Sequence, residues 1–184
     1  MTADVRARSP LADRVAELAT IGGELVPFLA QVDLRVDPAY AGLAPYPLPL
    51  EPDTAVDDGR RAALWLGPDE WLILGPPGGG AEIVGELEGA FASIDRSVVD
   101  VSANRVAIEL NGPGRFDLLA HLCPLDLDPR VWTARRCAQT LLGRAQVILQ
   151  ERTDATGILV RPSFTDYLVD LLLAVHGAVG GVGA

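Results

Sequence analysis

Six side chains of the kinds that bind zinc lie in the second half of the chain. They are His121, Cys123, Asp126, Asp128, Cys137 and His176. Zinc sites pair cysteine and histidine ligands at short, regular spacings, and none of those spacings occurs among these six residues. His121 and Cys123 also project in different directions from the predicted end of a helix. The pattern therefore favours a histidine at a helix terminus and two buried thiols over a metal site.

A second candidate is the glycine-rich stretch 75–80, GPPGGG, which precedes a predicted helix as a phosphate-binding loop would. It matches neither the dinucleotide fingerprint nor the P-loop, because position 83 is Ile and no lysine follows it. Glu82, in the first turn of that helix, would repel a phosphate. A flexible turn between a strand and a helix is the more common explanation, and phosphate binding is the alternative.

Nucleophilic catalysis has no better support. No serine lies in a G-x-S-x-G elbow, and with only two histidines in the chain a catalytic triad has no supporting motif. The acidic residues fall at the ends of predicted elements, where solvated carboxylates and helix caps are usual. We therefore expect no catalytic residue, no cofactor-binding residue and no metal ligand, which points to a subunit that needs a partner.

Two tryptophans, Trp65 and Trp71, face each other across a predicted hairpin over 62–74. Both arms are apolar at every position, so the hairpin should be covered on both faces or buried in an interface. Paired aromatic residues are more often core or subunit interface than a platform for a cofactor. The candidate subunit-interface residues are Trp65, Trp71, Leu72, Cys137 and Gln139.

Composition limits the function further. The chain has 184 residues, of which 49% are hydrophobic, so it can bury a core as one domain or as two small ones. Its net charge of −10 argues against nucleic acid and anionic membrane as partners. All 15 basic residues are arginine, which excludes lysine-based catalysis. There is no apolar signal segment, so we expect a cytoplasmic protein whose two cysteines are thiols.

The elements that would position these residues are predicted helices, in which apolar residues recur every three or four positions, and predicted strands, in which they recur at every second position. Ser9-Pro10 starts a short helix that ends at Gly22-Gly23, and a strand is predicted within 27–37. The proline-rich stretch 38–60 is predicted to be a long connection with at most one helical turn. Further elements are the hairpin 62–74, a helix after 80, strands at 97–102 and 105–110, a helix after Pro113, strand-like runs at 137–150 and 157–164, and a helix from the capping box 163–166.

These elements fall into two halves with the same order. The order is compatible with two βαββ-like units, so the predicted fold class is α+β, with helices on mostly antiparallel sheet. We expect a flexible N-terminus over 1–8, a folded region over 9–176 with halves of about 9–102 and 103–176, and a disordered tail over 177–184.

Several ordered motifs resemble the gamma subunit family of heterotetrameric sarcosine oxidase. They are LWLGPDEWLILGP, SVVDVSANRVAIELNGP, CPLDLDPRVW, RCAQTLLGRAQVILQ and LVRPSFTDYLVDLLL. The most specific pieces are WLGPDEWL (65–72), VDVSANR (99–105) and CAQTLL (137–142), and the resemblance runs from about residue 9 to about residue 174. Two departures stand out: Asp128 replaces an expected histidine, and Glu24-Leu25-Val26 replaces an expected Arg-Glu-Leu.

The resemblance implies a non-catalytic subunit of a flavoenzyme that converts sarcosine to glycine. The methyl group leaves as formaldehyde or methylene-tetrahydrofolate, and oxygen becomes hydrogen peroxide. FAD, FMN, NAD, zinc and tetrahydrofolate are then expected in the alpha, beta and delta partner subunits, with none in this chain. The implied fold resembles the folate-binding domain of glycine-cleavage aminomethyltransferases, and the implied nearest partner is the alpha subunit.

Two other functions stay open at this point. The chain could be a free-standing folate-binding or aminomethyl-transfer protein of the same fold. It could also be a subunit of an enzyme that oxidises another N-methyl amino acid, such as dimethylglycine. Binding of tetrahydrofolate to the isolated chain would favour the first of these alternatives.

Overall fold

The computed structural model describes residues 8–180, and the side chains of 8–178. The predicted flexible segment 1–8 therefore lies, apart from Arg8, outside the described residues. The helices are α1 (Val15–Ala19), α2 (Gly80–Ala90), α3 (Gly114–Ala120) and α4 (Thr165–Gly180). The strands are β1 (Gly23–Val26), β2 (Ala30–Val36), β3 (Ala55–Asp57), β4 (Ala62–Gly67), β5 (Glu70–Gly75), β6 (Arg96–Asp100), β7 (Val106–Asn111), β8 (Cys137–Leu142), β9 (Ala145–Glu151) and β10 (Ala155–Val160). Short 3₁₀ turns occupy Pro38–Leu43 and Pro162–Phe164.

The strands form two five-stranded sheets. Sheet A has the order β1-β7-β10-β9-β8, and sheet B has the order β3-β4-β5-β2-β6. Every pairing within them is antiparallel, which confirms the predicted α+β class. Sheet B comes from the first half of the chain and sheet A from the second, with one exception. Strand β1 precedes sheet B in the chain but pairs with β7, so the two halves interlock instead of meeting at one boundary.

Three apolar clusters produce a helix–sheet–sheet–helix arrangement. The first joins the outer face of sheet A to α1, α3 and α4, through residues such as Leu18, Leu119 and Leu172. The second joins the outer face of sheet B to α2 and to residues 44–48. The third lies between the sheets, where Leu64 and other residues of sheet B meet the inner face of sheet A. Apolar packing therefore covers both faces of each sheet.

The apolar hairpin shows how both faces of sheet B are used. On β5, Leu72 faces sheet A, while Trp71 and Ile73 face α2. Trp71 pairs with Trp65 across the hairpin, and its indole nitrogen donates a hydrogen bond of 2.7 Å to the carbonyl oxygen of Pro49. Of the two predicted explanations for the doubly apolar arms, cover within the chain is the one observed.

Two stretches, a predicted connection and a predicted strand-like run, contain more strands than the sequence revealed. The stretch 38–60 holds, besides its 3₁₀ turn, the edge strand β3, which is three residues long and so carries almost no alternating pattern. The run 137–150 is two strands, because Gly143 adopts a φ of 58° and reverses the chain between β8 and β9. A β-carbon at Gly143 would lie 2.6 Å from the hydroxyl oxygen of Tyr167, so the turn is also pressed against α4.

Helix α4 continues to Gly180, so 177–180 of the predicted tail is helical; 181–184 lies outside the described residues. Apolar side chains that repeat every three or four residues hold the helix against sheet A, and they include Leu168, Val169 and Leu172. Within residues 8–180, none of the helices has the length and apolar character needed to cross a membrane.

Candidate subunit-contact site

The five predicted interface residues divide into buried and accessible ones. Trp71, Leu72 and Cys137 are each 0% exposed in the folded chain, whereas Trp65 and Gln139 keep accessible surface. The first three therefore lie in the protein's own core and offer no surface to a partner. Their apolar character reflects the packing of the two sheets, which the sequence alone did not distinguish from an interface.

Cys137 and Gln139 connect the two sheets. The Cys137 thiol donates to the carbonyl oxygen of Thr54 at 3.1 Å, and burial raises the pKa of this thiol to about 12. The Gln139 side chain donates to the carbonyl oxygen of Leu66 at 3.0 Å. The CAQTLL motif thus forms the seam between sheets A and B, and Cys137 is held as a neutral thiol.

The zinc-type side chains do not converge. Over residues 8–180 there is no group of three or more histidine, cysteine or acidic side chains placed to hold a metal ion. The ring nitrogen Nδ1 of His121 lies 2.7 Å from the carbonyl oxygen of Asp117, at the end of α3, and the Cys123 sulfur lies 3.6 Å from the Thr140 hydroxyl. Each side chain has a local partner, as expected for a helix-end histidine and a buried thiol.

The glycine-rich loop 75–80 has its anion position filled by the protein itself. A β-carbon at Gly80, the first residue of α2, would overlap the carboxylate of Asp100. That carboxylate also accepts hydrogen bonds from the amide and hydroxyl of Ser102, at 2.9 and 2.6 Å, which lower its pKa. Asp100 therefore occupies the space where a phosphate would approach, and the loop acts as a strand-to-helix turn.

Asp128, the departure from the expected histidine, forms a local ion pair. Both of its carboxylate oxygens accept hydrogen bonds from the Arg130 guanidinium, which lowers the pKa of Asp128 to about 2. Its carbonyl oxygen accepts the amide hydrogens of Val131 and Trp132, each at 2.8 Å. A carboxylate at this position thus stabilises the turn that leads into Trp132.

The segment 123–136 is anchored by a buried ion pair that the sequence reasoning missed. Arg115 donates to Glu151 at 2.7 Å, and their side chains are 7% and 2% exposed. Trp132 and Thr156 both donate to the second oxygen of Glu151, at 3.0 and 2.5 Å. All four groups lie on the outer face at one end of sheet A. Because they are distant in sequence, only the register of the sheet brings them together.

The opposite end of sheet A presents an uncovered row of polar side chains on its inner face. Val106 of β7 pairs with Val160 of β10. Arg105 comes directly before Val106 and Arg161 directly after Val160, so the two arginines lie side by side, one position beyond this pair. The same row continues through Gln146 on β9 to its partner Leu141 on β8. These side chains line a pocket of about 360 Å³ that is open to solvent.

Two arginines next to each other, with little to neutralise them, define the electrostatics of this pocket. Burial and the positive charge of Arg161 both lower the pKa of Arg105. Arg161 donates at 3.2 Å to the side-chain oxygen of Asn104, a neutral group. Among the described residues, no carboxylate lies within 4.0 Å of either guanidinium. The carboxylates of Asp33 and Glu70, on the inner face of sheet B, act on Arg105 from a greater distance.

The VDVSANR motif holds Arg105 in place. The Ser102 hydroxyl accepts a hydrogen bond of 3.0 Å from the amide of Gln31, and the Gln31 side chain donates to the carbonyl oxygen of Arg105 at 2.7 Å. Gln31 is itself 1% exposed, so this link fixes the loop to sheet B. The motif therefore connects α2, sheet B and the arginine pocket within seven residues, 99–105.

Known proteins of one family resemble this chain over most of its length. Residues 33–177 match the model of the "Sarcosine oxidase, gamma subunit family". The chain is 34% identical to the sarcosine oxidase subunit gamma of an Arthrobacter species over 180 residues, which cover 90% of this chain and 88% of that protein. The sarcosine oxidase subunit gamma of Corynebacterium sp. (strain P-1) shows the same identity and coverage.

Two solved structures support the assignment at different levels. A chain of the heterotetrameric sarcosine oxidase from Corynebacterium sp. U-96, in complex with pyrrole 2-carboxylate, superposes with a TM-score of 0.85 at 30% identity, covering 94% of this chain and 95% of that one. Aminomethyltransferase T of the glycine cleavage system from Bartonella henselae has a TM-score of 0.61 at 14% identity, over 86% of this chain and 48% of that one. The latter confirms the predicted likeness of fold. The family model and the gamma-subunit relatives show that the chain belongs to the sarcosine oxidase gamma subunit family.

Proposed function

We propose that this chain is the gamma subunit of a heterotetrameric sarcosine oxidase and that it contributes no catalytic residue. The observation that carries the proposal is the superposition on a chain of a heterotetrameric sarcosine oxidase, with a TM-score of 0.85 over 94% of this chain. In this proposal the assembled enzyme oxidises sarcosine to glycine with formation of hydrogen peroxide. The methyl group leaves as formaldehyde or methylene-tetrahydrofolate.

The local contacts of the chemically promising residues support a structural role for this chain. Cys137 is bound to Thr54 between the sheets, and burial raises its pKa far above neutrality, which makes it a poor nucleophile. Asp100 accepts hydrogen bonds from Ser102, and Glu151 accepts one from Arg115. Side chains held in such fixed pairs stabilise the fold and are not free to exchange protons with a substrate.

The proposal assigns the chemistry to the partner subunits. The family resemblance implies alpha, beta and delta partners that carry FAD, FMN, NAD, zinc and tetrahydrofolate, with the alpha subunit in most direct contact. The division of labour rests on that resemblance and on the absence of a recognised cofactor motif in the sequence. We also place the assembly in the cytoplasm, in keeping with the two cysteines, which are both free and buried.

Co-expression with candidate alpha, beta and delta subunits from the same organism tests the proposal. With all four chains present, we expect an enzyme that consumes oxygen in the presence of sarcosine. Without this chain, we expect loss of the assembled enzyme or of its turnover. If the three remaining subunits assemble and oxidise sarcosine equally well, the chain is not a functional subunit and the proposal is wrong.

A titration separates this proposal from a free-standing folate protein of the same fold. The isolated chain is titrated with tetrahydrofolate by calorimetry. We expect no saturable binding in the micromolar range, since the proposal places the folate site in a partner subunit. Saturable micromolar binding to the isolated chain would contradict that placement.

A further inference from the structure

We propose that Arg105 and Arg161 form a docking site for a carboxylate group carried by a partner subunit. This inference rests on the proposed function, because it requires that the chain be built into a larger assembly. It goes further by naming the surface that faces the partner and the chemistry that the surface recognises.

The first argument is the placement of the two arginines. They are neighbours across β7 and β10, one position beyond the pair Val106 and Val160, and both line the same pocket. Like charges opposite each other on two strands destabilise a sheet. Each arginine is also fixed from outside the pocket, Arg105 through its backbone by Gln31 and Arg161 through its side chain by Asn104. The repulsion is therefore built into the folded chain.

The second argument is that the two arginines that are buried in the described part of the chain both have carboxylate partners. Arg115 is paired with Glu151 at 2.7 Å, and Arg61, whose side chain is 5% exposed, lies 3.4 Å from Glu82. Arg105 is partly buried and Arg161 is exposed, and neither has a comparable partner among the described residues. A carboxylate supplied from outside would neutralise the pair and accept hydrogen bonds from both guanidinium groups at once.

The third argument favours a protein over a free anion as the source of the carboxylate. The row that begins with the two arginines ends at Leu141 on β8. Leu141 is 43% exposed, and β8 is an edge strand of sheet A. An exposed leucine gains from being covered by a protein surface, and an edge strand is a common attachment point for another chain. A small anion would leave both of these features in water.

The overall charge of the chain adds to the specificity of such a contact. The chain carries a net charge of −10, so most of its surface repels acidic groups. A local pair of arginines then attracts an acidic segment to this position, which helps to orient the partner. The carboxylates of Asp33 and Glu70 on the facing sheet limit the positions that this segment can adopt.

The test uses the four-subunit complex with the double variant Arg105→Gln/Arg161→Gln. Retention of the gamma chain is measured by dilution and by a salt series, with the fraction bound read from gel filtration. We expect the variant to bind on the order of tenfold more weakly than the unaltered chain, because a desolvated charge contact is lost. We also expect a weaker dependence of its binding on salt.

Arg130→Gln is the matched control, because it removes the same charge from a side chain that is 89% exposed and distant from the pocket. It should bind as the unaltered chain does. The free chain supplies a second readout: the double variant should unfold at the same temperature or a higher one, since the repulsion is gone. A lower unfolding temperature that accompanies weaker binding would mean a structural role and would overturn the proposal.

Three further outcomes distinguish this docking site from a site for a free anion and from a failure of the proposed function. Equal retention of the double variant and the unaltered chain would overturn the docking site while leaving the proposed function intact. Saturable stabilisation of the free chain by millimolar inorganic phosphate, lost in the double variant with complex retention unchanged, would mean a site for a free anion and would also overturn it. If the unaltered chain itself fails to join the complex, the proposed function and this inference fall together.

Discussion

The two ends of sheet A differ in whether their arginines are paired with a carboxylate. On the outer face at one end, Arg115 is 7% exposed at its side chain and is neutralised by Glu151, which Trp132 and Thr156 also engage. On the inner face at the other end, Arg105 and Arg161 lie beside each other without a carboxylate within 4.0 Å among the described residues. The Arg115 guanidinium is buried and is tolerated there because it is paired. Arg105 is partly buried and Arg161 is exposed, and neither has such a pair among the described residues. The first end therefore serves the fold, and we propose that a partner subunit completes the second.

The same distinction explains why residue type alone misled the search for an interface. Trp71, Leu72 and Cys137 are apolar and lie in specific motifs, yet their contacts are all within the chain. The surface that we propose as the contact is instead marked by two neighbouring arginines without a carboxylate partner among the described residues. Arginine is one of the residue types that are enriched in protein interfaces.

The largest loss of stability is expected at the end of sheet A where Arg115 is paired with Glu151. Glu151→Gln keeps oxygen and nitrogen atoms near Trp132 and Thr156 but leaves the Arg115 guanidinium buried without a counter-charge. We expect the free energy of unfolding to fall by about 3–5 kcal/mol, measured by urea denaturation. Asp13→Asn, which breaks an exposed pair with Arg8, is the control and should unfold at an unchanged urea midpoint. Equal midpoints for the two variants would remove the contrast between the two ends of the sheet.

A smaller loss of stability is expected at the start of α2, where the carboxylate of Asp100 has its hydrogen-bond partners within the chain. Gly80→Ala forces a β-carbon into the Asp100 carboxylate, so we expect a loss of about 1–3 kcal/mol in thermal or urea unfolding. Gly85→Ala, in the same helix, meets no atom within 4 Å and should stabilise the chain by about 0.5–1 kcal/mol. If Gly80→Ala stabilises the chain as Gly85→Ala does, Asp100 does not fill the space at the start of α2.

The smallest effect concerns pH and the buried thiol between the sheets. Because the pKa of Cys137 is raised from 9.0 to about 12 in the folded chain, the unfolded chain loses this proton first as the pH rises. The contribution of the thiol is complete below pH 9 and is lost between pH 9 and 12, by on the order of 1 kcal/mol at pH 10. The control is Cys137→Ser, whose hydroxyl does not ionise in this range. The two stability curves should diverge above pH 9, and parallel curves would contradict the burial of the thiol.

Local signals accounted for most of the fold. The hairpin turn at Gly67–Glu70, the apolar face of α2 and the alternation in β2 are each visible within about a dozen residues. The pairing of β1 with β7 joins residues more than 80 positions apart, and no local pattern specifies it. Strand β3 is too short to show a period, and Gly143 was missed because a single glycine, without a second turn residue beside it, stands within one long strand-like run.

The candidate site was far less accessible to sequence reasoning. Arg105 and Arg161 each look like an ordinary charged residue at the end of a strand. They become a pair only because β7 and β10 are neighbours in register, a property of the whole sheet. The available signal was indirect: Arg105 ends the VDVSANR motif, one of the most specific pieces of the sequence.

The subunit composition of the purified protein tests the central claim most directly. This chain, carrying an affinity tag, is co-expressed with the alpha, beta and delta subunits, and the purified material is weighed by native mass spectrometry. The account predicts one assembly that contains this chain once, together with one copy of each of three other chains. Recovery of this chain alone, or only as copies of itself, while the other three form an active sarcosine-oxidising complex, would contradict it.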